Sequence, residues 1–268
     1  QDVQLFHASG IQQVLEAVRD ALVARDIFGV YVVQDPAQIT PQLQDLRTGT
    51  DDLTIVITTG VVSEVRTVAR GERAGERGDI EQPTDAPEHA RIRERSPVGP
   101  SDPPRVISLR ELDDYVYFLG RHPGRRADVA LAPSLEPGEV TLDYMITENR
   151  PLVLYAQTSN TGTQATDYWR ERFGLLHTQL TGIDDVLSVE YTTAQFSDVH
   201  AVSASYERPL SRDGRVRGRV YGTFSRYDAE DVGVFAQDFT GENVALGLEA
   251  SWNFFQDREL FVDLIGGL

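Results

Sequence analysis

The chain has 268 residues, of which 42 are acidic and 25 basic, so its formal net charge is −17. This balance opposes nucleic-acid binding, which requires a basic surface. Cysteine is absent, which excludes disulfide bonds, thiolate nucleophiles and zinc ribbons. No run approaches the roughly 20 apolar residues that a membrane-spanning helix needs, so the sequence excludes a helical membrane protein.

The first 70 residues are typical of a small α+β unit. Ser9 and Gln12 have the spacing of a capping box, and apolar residues recur at helical spacing as far as Leu22. We therefore predict a helix with a buried apolar stripe that ends at Gly29. The strands predicted after it are Val30 to Val33, Leu53 to Thr58 and Val61 to Val68.

A second unit of the same plan follows a charged stretch, Gly71 to Pro87, which is rich in Gly and Pro and is predicted to be a linker. Ala90 to Arg95 is interpreted as a strand. Ser108 with Glu111 forms another capping box, and the helix that it opens is predicted to end at Gly120. The strands predicted next are Val129 to Ala132 and Val140 to Ile146.

The C-terminal half alternates with a period of two, which is typical of β-strands. In Val244 to Phe254 every second residue is apolar, and Val216 to Phe224 repeats the pattern. Both runs match the roughly 9–11 residues of a strand that crosses a bilayer at a tilt. A large soluble sandwich or barrel alternates as well, so periodicity leaves both open. The small residues opposite the apolar ones favour the membrane strand, because they can line a water-filled lumen.

Seven strands are predicted in this half. They are Leu152 to Thr158, Tyr168 to Leu180, Val186 to Thr193, Val199 to Leu210, Arg215 to Tyr227, Asn243 to Phe255 and Leu260 to Gly267. The links Thr181 to Asp184 and Ser211 to Gly214 are short, whereas Asp228 to Glu242 is long. Alternating short and long links are typical of outer-membrane barrels.

The sequence contains no motif of a known catalytic site: no Gly-x-Ser-x-Gly elbow, no P-loop, no His-Glu-x-x-His and no Gly-x-Gly-x-x-Gly. We therefore predict that the protein is not an enzyme and has no cofactor or metal. Asp184 and Asp185 are the one pair that could be read as metal ligands. At a predicted turn, a solvated pair of carboxylates is the favoured interpretation.

Two groups of residues are candidates for a functional site. One is the run Arg121, His122, Pro123, Gly124 and Arg125, which is either a contact surface for a client or, as we favour, a helix terminus with a sharp stop. The other comprises Arg217, Arg219 and Glu249, which are predicted to face a lumen. The two arginines could bind a client or a plug, but a solvated or salt-bridged lumen with Glu249 or Glu190 is favoured.

These runs resemble a known family. The stretch from Leu119 to Val129, followed by Glu136-Pro137-Gly138 and Leu142-Asp143-Tyr144, resembles the second polypeptide-transport-associated (POTRA) domain of outer-membrane transporters. The specific relatives are the haemolysin activation and secretion proteins of two-partner secretion. The runs that resemble the opening of their barrel are Ser159 to Thr163, Trp169 to Gly174 and Ser205 to Leu210.

The resemblance covers about Ile92 to Leu268 and implies α+β POTRA-like units followed by an antiparallel transmembrane β-barrel. The division that it implies is 1–71 for a partial first POTRA-like domain, 72–88 for a linker, 89–150 for the second POTRA domain and 151–268 for the N-terminal part of the barrel. The expected location is the outer membrane, with the N-terminal region in the periplasm.

The function that the resemblance implies is export or activation of a secreted client polypeptide. The POTRA units would capture the unfolded client by β-augmentation, in which a strand is added to an exposed sheet edge, and outer-membrane lipid would surround the barrel. The alternatives are an outer-membrane protein assembly factor and a soluble β-rich binding module without a transport role. Because seven strands are fewer than single-chain barrels use, we expect an open half-barrel whose first and last strands are unpaired, in a stretch of a longer polypeptide.

Overall fold

The computed structural model describes residues 8–40, 44–49, 52–74, 87–134, 136, 138–232 and 237–268. The helices are α1 (Ala8–Val23), α2 (Pro87–Glu94) and α3 (Leu109–Gly120). The strands before residue 150 are β1 (Ile27–Phe28), β2 (Val30–Gln34), β3 (Ile55–Thr59), β4 (Val61–Arg70), β5 (Ile107–Ser108), β6 (Arg125–Pro133) and β7 (Glu139–Glu148). Among these described helices, none is long and apolar enough to span a membrane.

The N-terminal helix is shorter than the sequence predicts. It ends at Val23 instead of Gly29, and Ser9 lies inside the helix rather than at its cap, so that predicted capping box is wrong. Gly29 instead forms the turn between β1 and β2, where its φ of +68° favours glycine. The predicted buried stripe is only partly correct, because Val14 is 42% exposed.

The β4 strand forms one three-stranded sheet with strands that lie far along the chain. It pairs in parallel with β7, and β6 pairs with β7 in the antiparallel sense, so the order is β4-β7-β6. The preceding strands β2 and β3 pair only with each other among the described residues. A parallel pairing across most of a domain leaves no local pattern in the sequence, which is why β4 was grouped with the strands before it. The linker predicted at 72–88 lies mostly outside the described residues.

One face of β7 forms the core of this unit, as its alternation predicts. Leu142, Tyr144 and Ile146 have no exposed surface, and Tyr115 from α3 contacts Tyr144 edge to face at 5.4 Å between ring centroids. The strand predicted for Ala90 to Arg95 is wrong, because these residues lie in or at the end of α2. Its single large apolar side chain, Ile92, is buried against the same core, which stabilises a helix that has no stripe of its own.

The predicted limits of α3 are confirmed. Ser108 is the N-cap, and its hydroxyl accepts a hydrogen bond from the Glu111 backbone N–H at 3.1 Å. This bond satisfies one of the free donors at the start of a helix, which is typically worth about 1 kcal/mol. The last residue is Gly120.

The C-terminal half is a single seven-stranded antiparallel sheet, and the seven predicted strands are confirmed. They are β8 (Leu152–Ser159), β9 (Arg170–His177), β10 (Val186–Ala194), β11 (Val199–Pro209), β12 (Val216–Val232), β13 (Gln237–Asp257) and β14 (Leu260–Gly267). Each strand pairs with its neighbours in the sequence. The link predicted at Asp228 to Glu242 is largely strand, because β12 and β13 extend into it and pair from Asp228 with Thr240 to Val232 with Gln237.

The register divides this sheet into two unlike faces. The apolar face carries large side chains that are open to the surroundings, among them Leu248, which is 56% exposed, and Leu246, which is 83% exposed. The polar face carries the charged and hydroxyl side chains of the alternate positions, including Tyr155, Glu190, Glu207, Arg217, Arg219 and Glu249. So large an exposed apolar surface is rare on a soluble monomer.

The two edge strands of the sheet are β8 and β14, and within the described residues they do not pair with each other. The expected open sheet is therefore confirmed. The strong curvature expected with it stays a prediction.

Candidate functional site

The arginines predicted to face a lumen lie on the polar face, but their partners differ from those expected. Arg217 forms an ion pair with Glu207 and donates from Nη2 to the Asp184 carbonyl oxygen at 2.8 Å. Arg219 lies directly opposite Glu249 in the register of β12 and β13. The polar face is therefore crossed by ion pairs between neighbouring strands, which keeps charged side chains satisfied on a half-exposed surface.

A second charged cluster on this face involves Glu190, which accepts a hydrogen bond from the Tyr155 hydroxyl at 2.7 Å and pairs with Arg172 at 3.5 Å. The guanidinium of Arg219 lies 5.5 Å from the centre of the Tyr221 ring, a cation–π distance. Glu190 therefore belongs to β8 and β9 rather than to the arginines of β12.

Tyrosine rings cover several glycines of neighbouring strands. A Cβ atom added to Gly174 would lie 2.1 Å from the Tyr155 ring, and one added to Gly247 would lie 2.3 Å from the Tyr221 ring. The sequence analysis interprets such small residues as the lining of a wet lumen. At these two positions their physical role is instead to leave room for an aromatic ring on the adjacent strand.

The most deeply buried charges lie where the α+β unit contacts the seven-stranded sheet. Only 1% of the Arg125 side chain is exposed. Its Nε donates to Glu148 Oε1 at 2.7 Å, and its Nη2 donates to Asp184 Oδ1 at 2.6 Å. Glu148 ends β7 of the α+β unit, whereas Asp184 belongs to the link between β9 and β10, so one guanidinium joins the two parts of the molecule.

Further cations surround this pair of carboxylates. Arg73 donates to Glu148 Oε2 at 2.7 Å, and His89 Nε2 lies 3.7 Å from the same oxygen. Arg95 of the region after α2 lies 3.8 Å from Asp184 Oδ2. We name the six side chains of Arg73, His89, Arg95, Arg125, Glu148 and Asp184 the junction cluster.

The interpretation of Asp184 and Asp185 as a solvated turn pair is wrong. Asp185 has no exposed surface, and both of its carboxylate oxygens accept the Thr181 backbone N–H, at 3.0 and 3.1 Å. The Asp184 carboxylate contacts Arg125 and accepts from Gln179 Nε2 at 2.8 Å. Each carboxylate thus has protein donors of its own, and the two do not share a site.

The electrostatics of the junction cluster follow from burial opposed by these partners. Burial raises the pKa of Asp184, but the Arg125 guanidinium beside it prevails and lowers that pKa to about 2. The pKa of Glu148 is likewise held well below its usual range: burial raises it, but hydrogen bonding to His89 and the charge of Arg125 outweigh that effect. Burial lowers the pKa of Arg125, yet the carboxylates of Asp184 and Glu148 raise it. All three groups are charged at neutral pH.

The motif at residues 121–125 connects α3 to β6, and the favoured interpretation as a helix terminus agrees with its geometry. Gly124 has a φ of +77°, which lets the chain reverse sharply. His122 is 9% exposed, and its ring nitrogens find no hydrogen-bond partner of good geometry in the described part of the chain, although the Thr178 backbone lies close by. Burial, together with the charge of Arg125, lowers the pKa of His122 to about 4.

The remaining charged residue of the motif contacts the other edge of the sheet. Arg121 donates from Nη1 to Asp263 Oδ1 at 3.2 Å, and Asp263 also accepts from Asn253 Nδ2 at 2.8 Å. Its guanidinium lies 4.5 Å from the centre of the Phe261 ring. With His122 and Arg125 buried and Arg121 paired, the motif binds this chain's own sheet.

Helix α3 also contacts the links at the same end of the sheet. Asp114 accepts the Arg258 backbone N–H at 2.6 Å through its carboxylate, and its carbonyl oxygen accepts from Gln256 at 2.6 Å. Arg215 places its guanidinium 5.6 Å from the centre of the Phe118 ring. The contacts extend along the whole helix, from Arg110, which pairs with Asp257 at 3.2 Å, to the motif at its end.

Sequence reasoning missed Glu148, Asp263 and the role of Arg95. Glu148 interrupts the alternation of β7 with a charge on the side of the strand that is otherwise buried, which is the one signal that could have singled it out. Asp263 and Arg95 carry no such signal, because their partners lie far away in the sequence.

Comparison with known proteins supports the fold. No family model and no curated protein matches the sequence. The solved structure of CdiB from Escherichia coli is similar over 98% of this chain and 45% of that chain, with a TM-score of 0.59 and 17% identity. CdiB from Acinetobacter baumannii is similar over 98% of this chain and 45% of that chain, with a TM-score of 0.50 and 13% identity.

A crystal structure of BamA from Haemophilus ducreyi lacking POTRA domains 1-3 matches with a TM-score of 0.46 and 15% identity, over 95% of this chain and 43% of that one, a likeness too weak to support a conclusion. The chain spans less than half the length of all these solved structures. The resemblance to transporters of the CdiB type is confirmed at the level of the fold, and the seven-stranded sheet matches part of a β-barrel transporter.

Proposed function

We propose that the chain is part of an outer-membrane protein translocator that exports or activates a secreted partner protein. The observation that carries the proposal is the pair of unlike faces of the seven-stranded sheet. An apolar face open to the surroundings next to an ion-paired polar face is what a membrane-spanning strand with lipid on one side and water on the other requires. The fold shared with CdiB agrees with this function.

The α+β unit is, in this proposal, a POTRA unit on the periplasmic side, where the links that contact it are short. Its sheet comprises β4, β6 and β7, so we place the unit at Val61 to Glu148 and assign the residues before it to a further POTRA-like domain. The junction cluster and the contacts of α3 hold the unit against the sheet.

Client capture would use the free edge of β6. Within the described residues β6 pairs only with β7, and α3 packs along it. An unfolded polypeptide could add a strand there through main-chain hydrogen bonds, which demand no particular sequence. The residues of the 121–125 motif take no part in this step, because they contact the sheet of this chain.

A soluble binding module is disfavoured by the exposed apolar face. An assembly factor for other barrels has no observation of its own in its favour. Solubility separates the first alternative: we expect the chain to stay folded and dispersed only with detergent or lipid, and a monodisperse, folded chain in plain buffer would refute membrane insertion.

Client capture is tested by hydrogen–deuterium exchange on the whole chain in lipid nanodiscs. The probe is an unstructured peptide of about twelve alternating threonine and valine residues. We expect slower exchange along β6 and the facing side of α3, with no change in β4. Unchanged exchange at millimolar peptide, or protection confined to the seven-stranded sheet, would contradict capture at this edge.

A further inference from the structure

A large cavity lies between the α+β unit and the hairpin that joins β11 to β12, and the charges around it are unbalanced. The cavity has a volume of about 950 Å³, within the range of pockets that hold small ligands. Its walls come from α2 and the residues after it, from α3, and from residues 208–215. Five of the residues that line it are arginines: Arg91, Arg95, Arg208, Arg212 and Arg215.

Two of these arginines already have partners. Arg95 lies beside Asp184 in the junction cluster, and Arg215 donates to Asn253 Oδ1 at 2.7 Å. The other three, Arg91, Arg208 and Arg212, form no hydrogen bond or ion pair with any residue that the structure describes.

Most carboxylates that line the cavity are committed to other groups. Glu111 pairs with Arg105 at 3.5 Å, Asp114 accepts the Arg258 backbone N–H, and Asp213 accepts from Ser211 and from the Arg215 backbone. Three unsatisfied guanidinium groups therefore share one cavity in a chain whose net charge is −17. Such a cluster is held together most simply by an anion with several acceptor oxygens.

The position of Arg208 indicates where this anion comes from. In the register Arg208 lies opposite Gly218, which lies opposite Ala250 on the apolar face. Leu210 lies on the same face, folds over Gly218, and is 61% exposed. The apolar face thus ends at the cavity, with one arginine on the side that faces lipid. At the midplane such an arginine would cost roughly 2–4 kcal/mol, but near the interface the cost falls to about 0–1 kcal/mol.

We propose that the cavity binds the phosphodiester headgroup of an anionic glycerophospholipid at the periplasmic surface of the membrane. Arg91, Arg208 and Arg212 donate to the phosphate oxygens, for which the planar guanidinium is well suited. Leu210 and the adjoining apolar face contact the start of the acyl chains. The source is the membrane because the apolar wall continues the lipid-facing surface, so the inference rests on the proposed function.

The test measures binding of dihexanoyl phosphatidylglycerol, kept below its micelle concentration, to the whole chain in a neutral detergent. Replacement of the three arginines by glutamine (Arg91→Gln, Arg208→Gln, Arg212→Gln) should weaken binding at least tenfold. The matched control removes the same charge from exposed arginines outside the cavity (Arg19→Gln, Arg126→Gln, Arg150→Gln) and should change binding less than twofold. Far-UV circular dichroism checks the fold, and the single Arg212→Gln variant at an exposed turn, expected to bind two- to fivefold more weakly, serves if the triple variant does not fold.

Inorganic phosphate distinguishes the two sources of the same chemistry. We expect it to bind at least tenfold more weakly than the lipid, because it lacks the apolar contacts. Equal binding of lipid by the wild type and the triple variant would overturn the proposal, as would phosphate that binds as tightly as the lipid. Insertion into phosphatidylcholine vesicles is measured separately. If the chain does not insert but still binds the short lipid through these arginines, the proposed function fails and the headgroup site stands.

Discussion

Replacing Arg125 with methionine removes the cation that holds two buried carboxylates together. Methionine has a similar length and can fill the space, so the change isolates the charge from the volume. Arg125 lies 2.7 Å from Glu148 and 2.6 Å from Asp184 and is almost completely buried. Without it both carboxylates remain in a site that water hardly reaches.

The expected loss of stability is about 3 kcal/mol. Removal of one partner of a buried ion pair typically costs about 3–5 kcal/mol, because an uncompensated charge stays behind. The lower end applies here, since Glu148 keeps Arg73 at 2.7 Å and Asp184 keeps Gln179 at 2.8 Å. The pKa of Asp184, lowered from 3.8 to about 2, corresponds to roughly 2–3 kcal/mol, which is consistent with this figure.

The loss should depend on pH in a defined sense. A carboxylate whose pKa is lowered by folding stabilises the fold above its unfolded pKa, and this stabilisation disappears as the pH falls through the folded pKa. For Asp184 the window runs from about pH 4 down to about pH 2, and the lowered pKa of Glu148 acts in the same direction. The difference in stability between wild type and Arg125→Met should therefore be largest near pH 7 and, for the Asp184 contribution, fall by roughly half at pH 3.

The measurement is equilibrium unfolding in urea of the chain folded into lipid vesicles, at pH 7 and at pH 3. Arg126→Met is the matched control, because it makes the same chemical change at the next residue, whose side chain is exposed. Equal stability of the two variants at pH 7 would refute the reasoning. A loss in Arg125→Met that stays the same at both pH values would show that charge is not its cause.

The other predictions concern the seven-stranded sheet. Leu248→Arg, on the apolar face, should reduce stability in lipid vesicles by roughly 2–4 kcal/mol, whereas Ala245→Arg on the polar face of the same strand should be nearly neutral; equal effects would disprove the face assignment. Gly174→Ala should destabilise the sheet by about 1–3 kcal/mol, because its Cβ would overlap the Tyr155 ring, while Gly266→Ala, which meets no atom within 4 Å, should be tolerated in the same titration; a tolerated Gly174→Ala would show that the ring can move aside freely.

Local patterns were sufficient to predict most of the elements. The period of two in the C-terminal half predicts all seven strands, since each buries or exposes alternate residues along its length. The capping residues of α3 likewise predict both of its ends. Where the pattern was weak the prediction failed: α2 has one large apolar residue, and its helical state depends on the packing of Ile92 against a sheet formed elsewhere in the chain.

The candidate site was harder to predict, because its residues meet through tertiary contacts. Arg125 was singled out as part of a motif, but the sequence does not show that Glu148 and Asp184 are its partners. Asp184 was interpreted as a solvated turn residue because turns are usually exposed; this turn is covered by the α+β unit. The unpaired arginines of the large cavity are unremarkable in sequence and become significant only together.

The parallel pairing of β4 with β7 imposes an order on folding. As the chain emerges from its N-terminus, β4 has no partner in its own sheet until β7 follows, and non-local pairings of this kind form slowly. Glu148, the last residue of β7, completes the sheet and supplies one carboxylate of the junction cluster, whereas Asp184 arrives later, in a link of the membrane sheet. We therefore expect the periplasmic unit to finish folding first and to present Arg125 as a preformed anchor. The β9–β10 link would then dock onto this anchor as the strands insert.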